Sequence, residues 1–389
     1  MNANKAPAKA RIGLFYAVVA LFWMSVYAYQ PILSVYSSQI GASASMVGSI
    51  LGSYGLTQLI LRIPLGIVSD KLGKRKIFVI LGAVLGGVSA IGLWSAKTPV
   101  MLMIFRGLAG CAAATWVTST VLFSSYFDAD SAPKALAKIT VFNNLGQIIA
   151  MISGGQIAQY LGNRAAFILA CSFGVIGFVL ALFVTETKIE NRKGVTVKDL
   201  LSVGLDKQLL SVSFIGVLFQ IINQGALLGF SPTFAKELGA TAGQLGMLTS
   251  ISVGGMMVTS YLTSNFILQK WGAKRCIMTG QIITGTALIL LPIVSKTVWV
   301  LFIFQFLAGL GNGLNYPLLM GLAIKNIDSQ RRGAAMGFFQ SIYALGMYLG
   351  PVIIGALSEV FTVGMSLSII GVTAYIACLC TLVLINKNA

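Results

Sequence analysis

The chain alternates long apolar runs with short polar breaks. A helix that crosses a bilayer needs about 20 mostly apolar residues. Twelve runs reach that length: 12–36, 46–68, 77–95, 98–126, 135–160, 164–184, 209–234, 243–267, 277–295, 297–324, 334–357 and 361–385. The pattern therefore predicts an all-α integral membrane protein with twelve spanning helices. One longer polar stretch, 185–208, falls mid-chain and carries Glu186, Lys188, Glu190, Arg192, Lys193, Lys198, Asp199, Asp206 and Lys207. It reads as a cytoplasmic linker between two six-helix bundles, 1–184 and 209–389. The first run is too long for a signal-peptide core and has no small-residue cleavage pattern, so it is expected to remain as a helix.

Composition sharpens this picture. Apolar residues make up 57% of the chain and charged residues only 10%, against about 25% charged in a soluble domain. The aromatic and aliphatic content also excludes a disordered chain. A net charge of +17 would suggest a nucleic-acid partner if it were spread evenly, but it is strongly one-sided. With the N-terminus inside, 21 basic residues fall in cytoplasmic segments, and only Lys97, Arg164, Lys236 and Lys296 lie opposite. That asymmetry is a positive-inside signal, so both termini are expected in the cytoplasm and no nucleic-acid partner is expected.

The chemistry of enzymes and metal sites is missing. There is no histidine, and the five cysteines sit in apolar context without metal-ligand spacing. No Gly-x-x-x-x-Gly-Lys-Ser/Thr loop is present to cradle a nucleotide. No cofactor, metal or catalytic residue is expected. The remaining classes are a transporter and, far behind it, a receptor or scaffold without transport.

The second half repeats the first at an offset of about 200 residues, a mark of duplicated architecture. Ile-Phe-Arg-Gly-Leu-Ala-Gly at 104–110 aligns with Ile-Phe-Gln-Phe-Leu-Ala-Gly at 303–309. The loop 70–76 aligns with 269–275, and Gly146 and Gly155 align with Gly346 and Gly355. Parallel repeats of this kind place a binding site near the midplane, between the halves.

These residues carry a family resemblance. Gly66-Ile-Val-Ser-Asp70-Lys-Leu-Gly73-Lys-Arg75-Lys resembles the signature between helices 2 and 3 of the major facilitator superfamily. Arg106 followed by Gly107 and Gly110 is similar to the helix 4 signature of its drug and metabolite:proton antiporters. The resemblance implies two pseudo-symmetric bundles that carry a solute by alternating access, without ATP. It also implies that Asp70 packs against the start of helix 11, near Arg331 or Arg332. Asp70, Arg75 and Arg332, with Gly66 and Gly73 permitting close approach and a tight turn, are then a cytoplasmic latch that favours the outward-facing state. Gly346-x3-Gly350-Pro351 has the form of the antiporter signature but stands in helix 11. Helix 5, where relatives carry it, lacks the Gly-Pro. Gly346, Gly350 and Pro351 are expected to form a hinge.

Arg62 and Arg106 are the ionised residues inside spans, and each is costly there. They are the expected charge partners of a solute; for Arg62, snorkelling to headgroups is an open alternative. All ten acidic residues lie at helix ends or in loops, so a proton would have to use a boundary carboxylate such as Asp128, or the solute. Polar side chains share helical faces: Tyr27 with Gln30; Asn143 and Asn144 with Gln147; Gln220 with Asn223 and Gln224; Asn312 with Asn315; and Gln340 with Tyr343. Amides in hydrocarbon must find partners, so these faces are expected to line a polar substrate cavity together with Arg106. The expectation is a monomeric carrier in a bacterial cytoplasmic membrane. It would export an amphipathic drug or metabolite against protons or, alternatively, take up or exchange an organic anion.

Overall fold

A computed structural model of the protein describes residues 9–128, 131–187, 202–328 and 331–385. Expectations placed on Lys5, Asp130, Lys387 and linker residues 188–201 lie outside the described residues. Among the described residues the regular elements are all helices. This follows from solvent: hydrocarbon offers no partner to backbone N–H and C=O, so an apolar run satisfies them internally.

The first half of the chain comprises α1 (Lys9–Tyr27), α2 (Gln30–Gln39), α3 (Ala44–Leu72), α4 (Lys76–Ser95), α5 (Pro99–Ala114), α6 (Trp116–Ser124), α7 (Ala132–Leu161) and α8 (Asn163–Ala181). The second comprises α9 (Lys207–Gln220), a π-helical segment (Ile221–Phe230), α10 (Ser231–Glu237), α11 (Ala242–Leu262), α12 (Leu268–Val294), α13 (Val298–Lys325), α14 (Arg332–Val360) and α15 (Val363–Leu384). Several helices start at side-chain caps. Ser43, Thr98 and Thr362 each accept the N–H three residues on, and Thr241 forms a capping box with Gln244.

Among the described residues, eleven segments are long and apolar enough to cross a membrane. One of them, Ala242–Val294, is 53 residues long and covers two of the expected runs. The loop expected over 268–276 is helical except at Gly272, whose φ of 74° breaks the helix. Glycine adopts that left-handed conformation cheaply, so one residue makes a turn that composition suggested would need nine. Other runs are interrupted where none was expected. Run one breaks at Ala28–Tyr29, run four at Thr115, and run seven passes through the π segment.

The halves meet along two pairs, α3 with α14 and α7 with α11. The seam is closed at one end. A Cβ on Gly52 would sit 2.8 Å from the Tyr348 carbonyl oxygen, and one on Gly355 2.5 Å from that of Ala44. Gly48 and Gly55 press on Pro351 and Met347 in the same way, and Gly155 on Ala242 and Gly246. Hydrogen bonds reinforce this end: Ser45 N–H to Glu359 Oε1 (2.9 Å), Gly243 N–H to Gln159 Oε1 (3.1 Å) and Ser250 Oγ to the Ile148 carbonyl (3.3 Å).

The other end, which carries the Asp70 loop, is splayed. Gly66 continues the Gly48–Gly52–Gly55 stripe of α3, Gly337 continues the facing stripe of α14, and Gly254 continues that of α11. Among the described residues, none of these three would bring a Cβ within 4 Å of a neighbour. The same stripe of small residues is thus a tight contact at one end and an open cleft at the other.

Candidate functional site

Two guanidiniums and a set of tyrosines occupy the middle of the seam. Arg106, on α5, is only 2% exposed. Its Nη2 donates to Gln30 Oε1 (2.6 Å) and its Nη1 to the Tyr29 hydroxyl (3.2 Å). The guanidinium carbon also stands 4.2 Å from the Tyr54 ring centre and 5.5 Å from that of Tyr29, within cation–π range. The break at Ala28–Tyr29 turns Tyr29 and Gln30 toward α5.

Gln30 passes the contact to the second half. Its Nε2 donates to the Leu228 carbonyl, 3.2 Å away in the π segment. The neighbouring Leu227 carbonyl accepts from Gln305 Nε2 at 2.8 Å. Gln305 stands at the place of Arg106 in the internal repeat. A π turn displaces carbonyls from the α-helical ladder, and here two buried glutamines, one from each half, engage consecutive ones.

Arg62, on α3, is 4% exposed and does not reach toward headgroups, so the snorkelling alternative is corrected. Its Nη1 donates to the Gln340 carbonyl on α14 (3.0 Å), and its Nη2 to Gln58. The carbon of the guanidinium lies 5.0 Å from the Tyr343 ring centre. Arg62 thus ties the two halves together where the closed part of the seam ends. Tyr54 lies within the field of both arginines, Tyr27 beside Tyr54 and Arg106, and Tyr316 beside Tyr343 and Arg62. Tyr27 and Tyr343 were expected at the site; Tyr29, Tyr54, Tyr316, Gln58 and Gln305 were not. Signals for them existed: Gln58 and Tyr54 precede Arg62 by one and two turns, and Gln305 aligns with Arg106.

The amide faces divide. Asn223 Oδ1 accepts from Asn312 Nδ2 (3.1 Å), while Asn223 donates to Gln220 Oε1 (3.4 Å). Gln224 and Gln340 are directed inward, and the Oε1 of each is buried without a hydrogen-bond partner. Asn315 bonds back to the Gly311 carbonyl of its own helix. Gln147 donates to Asn143 within α7 (2.6 Å), and both are half-buried, as is Asn144. Two cavities of about 320 and 330 Å³ lie away from this cluster. One is near Asp206, Asn326 and Arg331, the other beside Trp271 and Arg275.

At the splayed end, Arg75 pairs with Asp70 (2.5 Å) and Gly73 closes α3 with a φ of 61°. Arg332 Nε donates to the Ile327 carbonyl (3.2 Å). In the hinge, Gly350 rests against the Ile221 carbonyl, where a Cβ would approach to 2.5 Å, and Gly346 rests likewise against Val217. Pro351 lies within α14. The first half mirrors this packing, with Gly146 on Ala20.

Residues 15–213 and 213–389 each match the family model described as Major Facilitator Superfamily. The chain belongs to that superfamily. Over 342 residues it is 25% identical to an uncharacterized MFS-type transporter, MJ1560, of Methanocaldococcus jannaschii, covering 85% of this chain and 86% of the relative. Over 362 residues it is 22% identical to the quinolone resistance protein NorA of Staphylococcus aureus, covering 90% of each. Its fold is that of a solved mutant of the nucleoside transporter NupG (TM-score 0.81, 15% identity, 96% of this chain and 100% of that one). It is also similar to a bacterial homolog of the human lysosomal transporter Spinster, solved inward-facing and occupied (TM-score 0.77, 14% identity, 98% and 97%). Membership makes the chain a multi-pass transporter of the cytoplasmic membrane with a small-molecule substrate.

Proposed function

We propose that this superfamily member is a twelve-span, monomeric carrier that exports a small amphipathic organic solute by alternating access, driven by proton entry. The observation that carries this reading is the seam, closed at one end and splayed at the other. A straight helix of 53 residues would be about 80 Å long, against a hydrocarbon core of about 30 Å. Gly272 therefore divides the long segment into two spans, and twelve spans put both termini on one side. The one-sided basic charge makes that side cytoplasmic. The splayed end carries the same basic loops, so the conformation is inward-facing. Asp70, held here by Arg75, would reach the start of α14 near Arg332 when the inside closes, with Gly346, Gly350 and Pro351 flexing. Tyr27, Gln30, Asn143, Gln147, Gln220, Asn223, Gln224, Asn312, Asn315, Gln340 and Tyr343 would face the path around Arg62 and Arg106.

Export is supported by the similarity to a protein named for quinolone resistance. The proton would be carried by a boundary carboxylate such as Asp128, or by the solute itself. The rival, uptake or exchange of an organic anion without coupling, is favoured by the two buried arginines. Everted vesicles decide between them. Dissipation of an imposed pH gradient on adding substrate, absent from vesicles lacking the protein, is the expected result. Solute movement that leaves the pH gradient intact would select the rival.

A further inference from the structure

The membrane-spanning part of this carrier holds two permanent positive charges and no matching negative one. The partners of Arg62 are the Gln340 carbonyl, Gln58 and the Tyr343 ring; those of Arg106 are Tyr29, Gln30 and the Tyr29 and Tyr54 rings. All are neutral. They spread the charges without cancelling them, and the ten acidic residues stand at helix ends and in loops. On insertion scales a guanidinium at a helix centre costs about 2.5–3.5 kcal/mol. A buried ion without a counter-ion is the arrangement a fold tolerates least, unless a counter-ion arrives from outside.

The two arginines are not equally placed to receive one. Arg106 sits on the closed side, its terminal nitrogens bonded to Tyr29 and to the glutamine that holds Leu228; those of Arg62 are bonded as well, to Gln58 and the Gln340 carbonyl, so what separates the two is their place in the seam. Arg62 stands where the closed seam gives way to the cleft. One turn further toward the open end, a Cβ on Gly66 or Gly337 would meet nothing within 4 Å among the described residues. Among the described residues, the Nε–H of Arg62 has no hydrogen-bond partner, and neither do Gln340 Oε1 and Ser341 Oγ on the facing helix. Aromatic rings flank it: Tyr343 beneath the guanidinium, with Tyr316 and Tyr54 nearby.

Resting on the carrier reading above, we infer that the transported solute is an organic anion with a flat apolar body, and that Arg62 is the receptor for its anionic group. A carboxylate approaching from the cleft can accept from the free Nε–H and, sharing it with Gln58, from the adjacent Nη2, the side-on bidentate geometry that guanidinium favours. The tyrosines take the apolar body, while Gln340 and Ser341 offer polar contacts from the other half. Because Nη1 of Arg62 also holds the Gln340 carbonyl, the arriving anion lands on a bond that joins the halves.

The test uses the full chain in proteoliposomes and matched probe triples. These are phenyl, naphthyl and pyrenyl acetates, their primary amides, and the corresponding arylmethylammonium ions. Binding is read by ligand-dependent thermal stabilisation, and transport by flux. The wild type is expected to bind at least one acetate roughly tenfold or more tighter than its amide, as a charge-assisted hydrogen bond implies. Arg62→Gln should abolish the preference and Arg62→Lys retain part of it. Equal or tighter binding of the ammonium or amide forms, or a preference that survives Arg62→Gln, overturns the anion receptor. So does the absence of binding by every acetate. Flux of ammonium probes with no anion preference would leave the carrier standing without this site. Anion-selective binding lost in Arg62→Gln, with no flux of any probe, would keep the site and remove the carrier reading.

Discussion

Arg106 and Arg62 are chemically alike here. Both are buried, both lie against tyrosine rings, and both have an Nε–H without a partner. They differ in where their bonds lead. Arg106 orients Gln30, and through it reaches a carbonyl of the π segment on the closed side. Arg62 bonds directly across the seam at the edge of the cleft. The internal repeat treats them differently too. Arg106 has a counterpart, Gln305, which serves the next carbonyl of the same segment; Arg62 aligns with Tyr261, whose side chain is exposed. A role present in both halves is architectural, whereas a charge present in one half without an echo is free to be specific.

The largest effect expected within this comparison is that of Arg106→Ala. It leaves Gln30 without the donor that orients it and removes a buried charge-assisted bond. Transport should fall by about two orders of magnitude, in line with about 2–3 kcal/mol for such a bond. Arg106→Gln, which installs the residue found at the repeated position, should recover a substantial part. Flux assays at equal protein abundance check both, and normal kinetics in Arg106→Ala would erase the distinction between the arginines.

A smaller effect is expected of Gln30→Leu. It removes the bond from Arg106 and the bond to the Leu228 carbonyl, of which only the second joins the halves on the closed side, while keeping most of the volume. A loss of about 1 kcal/mol shifts the balance of the two orientations roughly fivefold toward outward opening. Labelling of a cysteine placed beside Leu228 should quicken by that factor. Asp70→Asn is the mildest: it should slow transport a fewfold while abundance stays near normal, since Arg75 can still hydrogen-bond an amide. An unchanged rate would remove Asp70 from the working cycle.

How much of this was legible in the sequence depended on range. Run lengths disclosed the helices, because hydrocarbon thickness sets a length that any single run must meet. Glycine stripes on α3 and α14 were visible as spacing, but which end of each would close was not, since the same stripe serves both states. Pro31, in the first turn of α2, was a signal for the break at Ala28–Tyr29 that run length passes over, whereas the π segment Ile221–Phe230 was hidden. Nothing in local propensity distinguishes a π turn held by distant glutamines from an ordinary helix. Arg62 and Arg106 were found because charge in a span is conspicuous. Of the tyrosines around them, Tyr27 and Tyr343 stood out by sharing helical faces with glutamines, whereas Tyr29, Tyr54 and Tyr316 looked like ordinary core aromatics until the fold brought them together.

The uncancelled charge has an electrical consequence. Two fixed positive charges move between the potential of one face and that of the other when the cleft changes sides, worth up to about 2.3 kcal/mol per charge per 100 mV. With the interior negative, the empty carrier would be held with its cleft toward the cytoplasm, the orientation proposed above for this structure. A bound anion removes part of that bias. The cell's own voltage would then both park the unloaded molecule facing its substrate and ease the loaded one outward, and a voltage step applied without substrate should draw a brief, saturable charge movement.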